Sequence, residues 1–242
     1  MAHIHFFFVD PADVGAERLV LRGAEYNHAA RVLRKQVGER IIALDGRGRR
    51  YEGRIASLGA GELTVAIEAA DEGGGEPRLR LTLAQGLLKG GMFDWVVEKG
   101  TEIGISIFQP MITAHTVAEA RSREERWQEK ARAAMKQCGR SLVPLVRPVT
   151  DFARAVDAAG GEALFIAWEE AEVAPAGLAA ALAGRTAATL LIGPEGGFSA
   201  EEVALASAAG ARTISLGPRR LRSETAALTA AVRLLDAAGE LG

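Results

Sequence analysis

The sequence has little of what would place it outside a reducing compartment or in a membrane. Cys138 is its single cysteine, which excludes an intrachain disulfide. No uninterrupted apolar run is long enough to span a bilayer. The apolar stretch from Met1 to Val9 is too short for a secretory leader and has no charged segment ahead of it. The expectation is a cytoplasmic protein without membrane attachment. Material for a metal centre is also lacking: His3 and His5 alternate near the N-terminus, but no carboxylate or cysteine completes a ligand set. Ser199 has no plausible histidine partner, which argues against a serine nucleophile. A phosphate cradle is missing as well. Gly193-Pro194-Glu195-Gly196 does not fit Gly-x-Gly-x-x-Gly, and Glu195 would repel a pyrophosphate.

What is present suits a globular chain with a real core: 48% hydrophobic and 25% charged residues, with no compositional sign of disorder. The net charge of −2 gives no hint of a nucleic-acid partner. Its distribution says more. Residues 31–54 hold eight cationic residues (Arg31, Arg34, Lys35, Arg40, Arg47, Arg49, Arg50, Arg54) against three acids, a local +5. Residues 121–147 again carry +5, whereas residues 151–202 carry −7. Basic stretches on a near-neutral chain can form a phosphate-facing surface, though each taken alone reads first as a solvated face.

The clearest boundary is Asp71-Glu72-Gly73-Gly74-Gly75-Glu76-Pro77, whose glycines, acids and proline predict a flexible, solvated joint. It divides the chain into residues 1–72 and 73–242. Before it, short strands are expected at His5 to Val9, Arg40 to Leu44, Tyr51 to Leu58 and around the alternating Leu63, Val65 and Ile67. One helix interrupts them near Glu25 to Arg34, a pattern from which small barrels are built. After the joint, strands alternate with helices. Strands are expected at Leu79 to Gln85, Ile105 to Ile112, Val143 to Val149, Ala163 to Trp168, Ala188 to Ile192 and Thr213 to Leu216. Helices are expected at Met92 to Glu102, from a Ser122–Glu125 capping box to Arg140, and at Ser223 to Ala238. This alternation predicts an α/β fold with a mostly parallel sheet.

Two glycine-containing loops follow predicted strands. One is Gly193-Pro194-Glu195-Gly196-Gly197-Phe198-Ser199; the other is Gly217-Pro218-Arg219-Arg220-Leu221-Arg222-Ser223-Glu224-Thr225-Ala226. Open α/β sheets bind ligands at the carboxyl ends of their strands, and glycine lets backbone groups approach a ligand closely. The first loop reads equally as a tight strand-to-helix turn, because Ser199 and Glu202 form a capping box.

Taken together, these segments resemble the RsmE-type 16S rRNA uridine-N3 methyltransferases. Leu191-Ile192-Gly193-Pro194-Glu195-Gly196-Gly197-Phe198-Ser199, Leu216-Gly217-Pro218-Arg219 and Leu221-Arg222-Ser223-Glu224-Thr225-Ala226 carry the likeness. Glu98-Lys99-Gly100-Thr101-Glu102-Ile103-Gly104, Gln137-Cys138-Gly139-Arg140, and Phe6-Phe7-Val9 with His28 to Arg34 extend it over nearly the whole chain. Lys136 stands where that family often has an acid, Arg220 where it has an aliphatic residue and Gly100 where it has alanine.

The resemblance implies a PUA-like RNA-binding β-barrel followed by a SPOUT-type domain whose chain threads a deep trefoil knot. It implies S-adenosylmethionine as cofactor, 16S rRNA of the small ribosomal subunit as partner, a homodimer, and no metal. Carried onto this sequence, the cofactor would lie against Ala167, Trp168, Ile192, Gly193, Pro194, Glu195, Gly196, Gly197, Leu216, Gly217, Leu221, Arg222, Thr225 and Ala226. Trp168 reads equally as plain core. Arg222, Glu224 and Arg140 are the catalytic candidates, with Glu195 a second carboxylate; Glu224 reads equally as a helix-terminal acid. His28, Arg31, Arg34, Lys35, Arg47, Arg49 and Arg50 are the RNA-contact candidates. The apolar face Leu228, Val232 and Leu235 is a candidate dimer patch that core packing would use equally. Competing readings are a related methyltransferase with another target atom, a non-catalytic RNA-binding assembly factor and a nucleotide-binding α/β enzyme.

Overall fold

The computed structural model describes residues 5–117, 123–169 and 177–241. The chain forms two compact units, one of residues 1–76 with 132–143, the other of residues 77–131 with 144–242.

The first unit holds β1 (Phe6–Phe8), β2 (Arg18–Arg22), β3 (Arg40–Leu44), β4 (Arg49–Leu58) and β5 (Glu62–Glu72). A short helix, α1 (Gly23–Asn27), runs into a π-helical turn at His28–Val32. The sheet order is β1-β3-β4-β5-β2, with β1 parallel to β3 and the other pairs antiparallel. Period-two alternation turns Leu19 and Leu21, Tyr51 and Ile55, and Leu63 and Val65 to one face. These meet Phe7, Ile41 and Ala29 in one core, so the sheet curls around its own apolar side. The strand β2 falls outside the expected elements.

The second unit holds β6 (Arg80–Gly86), β7 (Ile107–Ile112), β8 (Leu145–Val146), β9 (Thr150–Asp151), β10 (Ala163–Ala167), β11 (Ala187–Ile192) and β12 (Arg212–Ile214). Its helices are α2 (Met92–Ile103), α4 (Phe152–Asp157), α5 (Leu178–Leu182), α6 (Ala200–Ala208) and α7 (Ser223–Ala237), while α3 (Glu124–Cys138) contributes to both units. Every strand pair in this sheet is parallel, in the order β12-β10-β11-β6-β7-β8, with β9 also on β7. Strands covered on both faces read as continuous apolar runs, and β6 and β11 are buried along nearly their whole length. Expected and observed architecture agree here.

Helix α7 buries Ala227, Ala230, Ala231, Leu234 and Leu235, the i, i+3, i+4, i+7, i+8 stripe of a core-facing helix. The expected patch shares only Leu235 with this stripe. Leu235 is core, Leu228 is half-buried and Val232 is exposed. The capping box of Ser199 and Glu202 opens α6 as expected. The one expected at Ser122 lies outside the described residues, as does His3.

The acidic joint differs from expectation. Strand β5 still pairs Glu72 with Arg49, and Gly73 N–H donates to Gly48 O. The Glu76 carboxylate, almost buried, accepts from Arg140 Nε and Nη2 at 3.1 and 2.7 Å and from the N–H groups of Ser141 and Leu142 at 2.8 and 2.9 Å. Composition predicts a flexible link, but a carboxylate that gathers several donors makes a fixed turn.

Candidate active site

The chain runs from β6 outward to β7 and β8 on one side, while β11, β10 and β12 fill the other. The crevice at the carboxyl ends of such strands is where an open α/β sheet receives a ligand. Two backbones meet there. A Cβ added at Gly86, the end of β6, would lie 2.6 Å from Pro194 N, so only glycine permits this approach. Beyond β11 the chain turns through Gly193 to Gly197, and the Glu195 carboxylate accepts the Lys89 N–H at 2.9 Å. Gly196 packs on His115, whose Cβ would sit 2.8 Å from an added Cβ. Beyond β12, Arg233 on α7 donates from Nη1 to Ser215 O at 2.7 Å, holding the start of the second loop.

These loops enclose a cavity of about 700 Å3. Of the expected cofactor positions, Ala167, Trp168, Ile192, Gly193 to Gly197, Leu216, Gly217, Leu221, Arg222 and Ala226 line it. Thr225 instead lines a recess that shares Leu221, Arg222 and Glu224 with the larger cavity. Trp168 does both jobs open to it, packing on the apolar cluster of Ile166 and Leu191 while walling the cavity.

Arg222 is exposed and Glu224 half-buried, and neither side chain has a hydrogen-bond or ion-pair partner among the described residues. Arg222 is also the N-cap of α7 without a side-chain cap bond, and Glu224 lies in the first turn. Arg140 is not among the lining residues. It is buried in the first unit, paired with Glu76 at 2.7 Å.

The RNA-contact candidates all lie in the first unit. His28 packs edge-on to His5 and tilted on Phe7, with ring centroids 6.2 and 5.6 Å away. Arg31, Arg34 and Arg47 are exposed and form no ion pair among the described residues. Lys35 pairs with Glu39 at 3.3 Å, Arg49 with Glu72 at 2.7 Å and Arg50 with Glu52 at 2.6 Å. The hydrogen bond from Arg40, then that from Arg50, holds the Glu52 carboxyl below its ordinary value despite some desolvation. Part of the basic stretch is therefore neutralised within the fold.

Residues 75–235 match the RNA methyltransferase domain family, and residues 21–68 match the RNA methyltransferase PUA domain. Among curated proteins, the chain is 34% identical to ribosomal RNA small subunit methyltransferase E of Mycobacterium bovis, covering 93% of this chain and 88% of the relative. It is 30% identical to the protein of that name from Bacillus subtilis, over 87% and 86% of the two chains. The solved Neisseria gonorrhoeae ribosomal RNA small subunit methyltransferase E, bound to S-adenosyl methionine, superposes with a TM-score of 0.80 at 28% identity, covering 97% and 98%. A Legionella pneumophila methyltransferase solved with its cofactor SAM gives 0.80 at 27%, covering 98% of each chain. The chain belongs to the ribosomal RNA small subunit methyltransferase E family.

The α/β fold with a PUA-like N-terminal part expected from the sequence agrees with these matches. The three departures from that family's pattern have local explanations. Lys136 pairs with Glu25 at 2.7 Å, and Arg220 with Glu169 at 3.5 Å. At Gly100 an added Cβ would meet Ile105 Cδ1 and Phe108 Cε1, each at 2.8 Å. The sequence reading missed Lys89, Glu169 and Arg219 on the cavity wall, and Gln85 behind it. No local pattern marks Gln85, because Arg80 and Thr82 already interrupt the same strand run. Among the described residues no helix is long and apolar enough to cross a membrane, and no acidic, histidine or cysteine cluster could hold a metal.

Proposed function

We propose that this protein methylates N3 of a uridine in 16S rRNA of the small ribosomal subunit, with S-adenosylmethionine as methyl donor. The carrying observation is the meeting of the Gly193 to Gly197 loop and the Leu216 to Ala226 segment around one cavity in an RNA methyltransferase family member. Its volume of about 700 Å3 lies in the range of small-molecule sites. Apolar walls from Ile192, Leu216 and Leu221, beside the half-buried Gly197 and the exposed Gly217, fit a flat nucleoside with a polar tail. Gly193 to Gly197, Leu216, Gly217, Leu221 and Ala226 would hold the donor, with Ala167 and Trp168 as a further wall and Thr225 close by. When bound, the donor supplies an electrophilic methyl group, so the protein's task is alignment and exclusion of water.

Uridine N3 carries a proton that must leave before it attacks. In this reading Arg222 stabilises negative charge on the uracil O2 and O4, and Glu224 accepts or orients the N3 proton. Glu195 is the poorer base, because its carboxylate already accepts the Lys89 N–H. Arg140, buried against Glu76 in the first unit and absent from the cavity lining, has a structural role there and takes no part in the transfer. N3 sits on the Watson–Crick edge, so the target uridine is unpaired or extruded, at a cost of a few kcal/mol. Residues 1–72, with His28, Arg31, Arg34, Lys35, Arg47, Arg49 and Arg50 toward the phosphates, offset that cost by gripping the flanking RNA. Residues 73–242 carry catalysis, with the knotted chain path of the SPOUT class. The protein works in the cytoplasm as a homodimer.

The test is mass spectrometry of 16S rRNA from a deletion strain complemented with the wild-type chain or Glu224→Gln. Wild type restores a 3-methyluridine; Glu224→Gln, folded and still binding S-adenosylmethionine, slows single-turnover methylation by about 10²-fold or more. A different methylated atom, or no methylation by wild type, overturns the reading. An unchanged Glu224→Gln rate removes the proton role alone.

A further inference from the structure

Gln85 is fully buried at the end of β6, behind the cavity wall. Its Nε2 lies 3.0 Å from Gly86 O, 3.2 Å from Gly193 O and 2.9 Å from Ser223 Oγ. A buried carboxamide is costly unless its polar atoms are used; here both hydrogens are engaged among the three acceptors, while Oε1 has no hydrogen-bond partner among the described residues. Ser223 opens α7, yet the cap position belongs to Arg222, and the serine hydroxyl leaves the helix to donate to Gly193 O. One carbonyl is therefore held from two elements, β6 and α7.

That carbonyl matters because of its neighbours. Gly193 begins the loop assigned above to the methyl donor. Ser223 stands between Arg222 and Glu224, the two side chains assigned to the uracil. The hydrogen-bonded trio thus joins the two halves of the reaction at a single buried point. In-line transfer tolerates little misplacement, and about 1 Å of error costs on the order of 10²-fold.

We propose that Gln85 and Ser223 are positioning residues for methyl transfer, forming a buried carboxamide–hydroxyl–carbonyl latch that sets the donor loop against the Arg222–Glu224 segment. Neither reacts; both act through Gly193 and the start of α7. The inference rests on the function proposed above.

The test compares Ser223→Ala, Ser223→Thr, Gln85→Glu and Gln85→Met with wild type. Affinity for S-adenosylmethionine is read by calorimetry, single-turnover methylation at saturating donor and RNA by rapid quench, and folding by the melting midpoint. Alanine suits a first helical turn, so Ser223→Ala keeps the fold. Expected is a drop of about tenfold to 10²-fold in the saturated rate for Ser223→Ala, with a smaller loss of donor affinity. Ser223→Thr, which keeps the hydroxyl, recovers most of the rate. Gln85→Glu keeps the size but turns a donor into an acceptor facing two carbonyl oxygens, and falls with Ser223→Ala. Gln85→Met, which keeps volume without polarity, falls as well. Wild-type rates in Ser223→Ala and Gln85→Glu overturn the latch. So do losses that track the melting midpoint and are not recovered by threonine, which would mark packing alone. A wild-type protein that fails to methylate overturns the function instead, so the two failures are distinguishable.

Discussion

Arg34 adopts φ +53°, the only described non-glycine residue with positive φ. For an L-residue this left-handed geometry costs about 1–2 kcal/mol. It follows the π-helical turn, Lys35 N–H donates to Ala29 O, and Arg34, like Arg31, is exposed. Glycine would adopt the same backbone freely, but its looser unfolded chain gives back about 0.5–1 kcal/mol. Arg34→Gly should therefore hold the melting midpoint or raise it slightly. If Arg34 meets phosphate, the same variant should weaken RNA binding and flatten the log affinity–log salt slope by about 0.7–1. Stability and function then move in opposite directions, which no general loss of folding imitates. An unchanged salt slope removes Arg34 from the RNA surface. The basic type of this residue was legible in the sequence, as were the Gly193 to Gly197 and Leu216 to Ala226 loops. Its backbone was not, because arginine carries no signal for positive φ. Gln85 and Ser223 went unread for a related reason: a buried polar side chain gains meaning only from acceptors 108 and 30 residues away.

At the level of elements, long apolar or alternating runs announced themselves. β3, β6, β10, β11, α2 and α7 lie within a few residues of where period and capping put them. The short elements did not. β2 has the alternating Arg18-Leu19-Val20-Leu21-Arg22 pattern, but its partner β5 is some forty residues on, at Glu62 to Ala66. Helix α4 has only six residues, although Asp151 caps it by accepting the Arg154 N–H at 2.8 Å. What period cannot reveal is how closely elements approach, and β6 against the β11 loop is the decisive case. Gly86→Ala would drive a methyl group to 2.6 Å from Pro194 N, where backbone rather than a flexible side-chain tip must yield. Overpacking of this kind costs about 1–3 kcal/mol. The relief lies in displacing the Gly193 to Gly197 loop, so the cost should appear as affinity for S-adenosylmethionine reduced about fivefold to 150-fold. Gly160→Ala is the control: its added Cβ meets only Asp157 O at an ordinary 3.6 Å. Equal donor affinities in the two variants, by calorimetry, would show that this close approach does not shape the pocket.

For the whole molecule, the sequence suggested one cut, near residue 72, and two consecutive domains. The first unit instead reclaims residues 132–143 after the chain has already begun the second. Composition could not show this, because the contacts that recruit the segment span long separations. Arg132 lies over the Phe8 ring at 5.6 Å, Lys136 pairs with Glu25 at 2.7 Å, and Gly139 packs where an added Cβ would be 2.5 Å from Phe6 Cζ. Arg140 and Glu76 close the set as a nearly dry ion pair, 5% and 10% exposed. Removing one partner of such a pair costs about 3–5 kcal/mol, because the other charge is left buried and uncompensated. Fragment 77–242 lacks all four partners, and its second half of α3 must end in unsatisfied or newly exposed groups. It should melt well below the whole chain, or aggregate, and Glu76→Gln in the whole chain should lower the midpoint in the same direction. Fragment 73–242 regains Glu76 and with it the Arg140 pair, so it should melt above fragment 77–242. If both fragments instead melt cooperatively at the temperature of the whole chain, the 132–143 segment is an appendage, and the simple cut between consecutive domains describes the molecule after all.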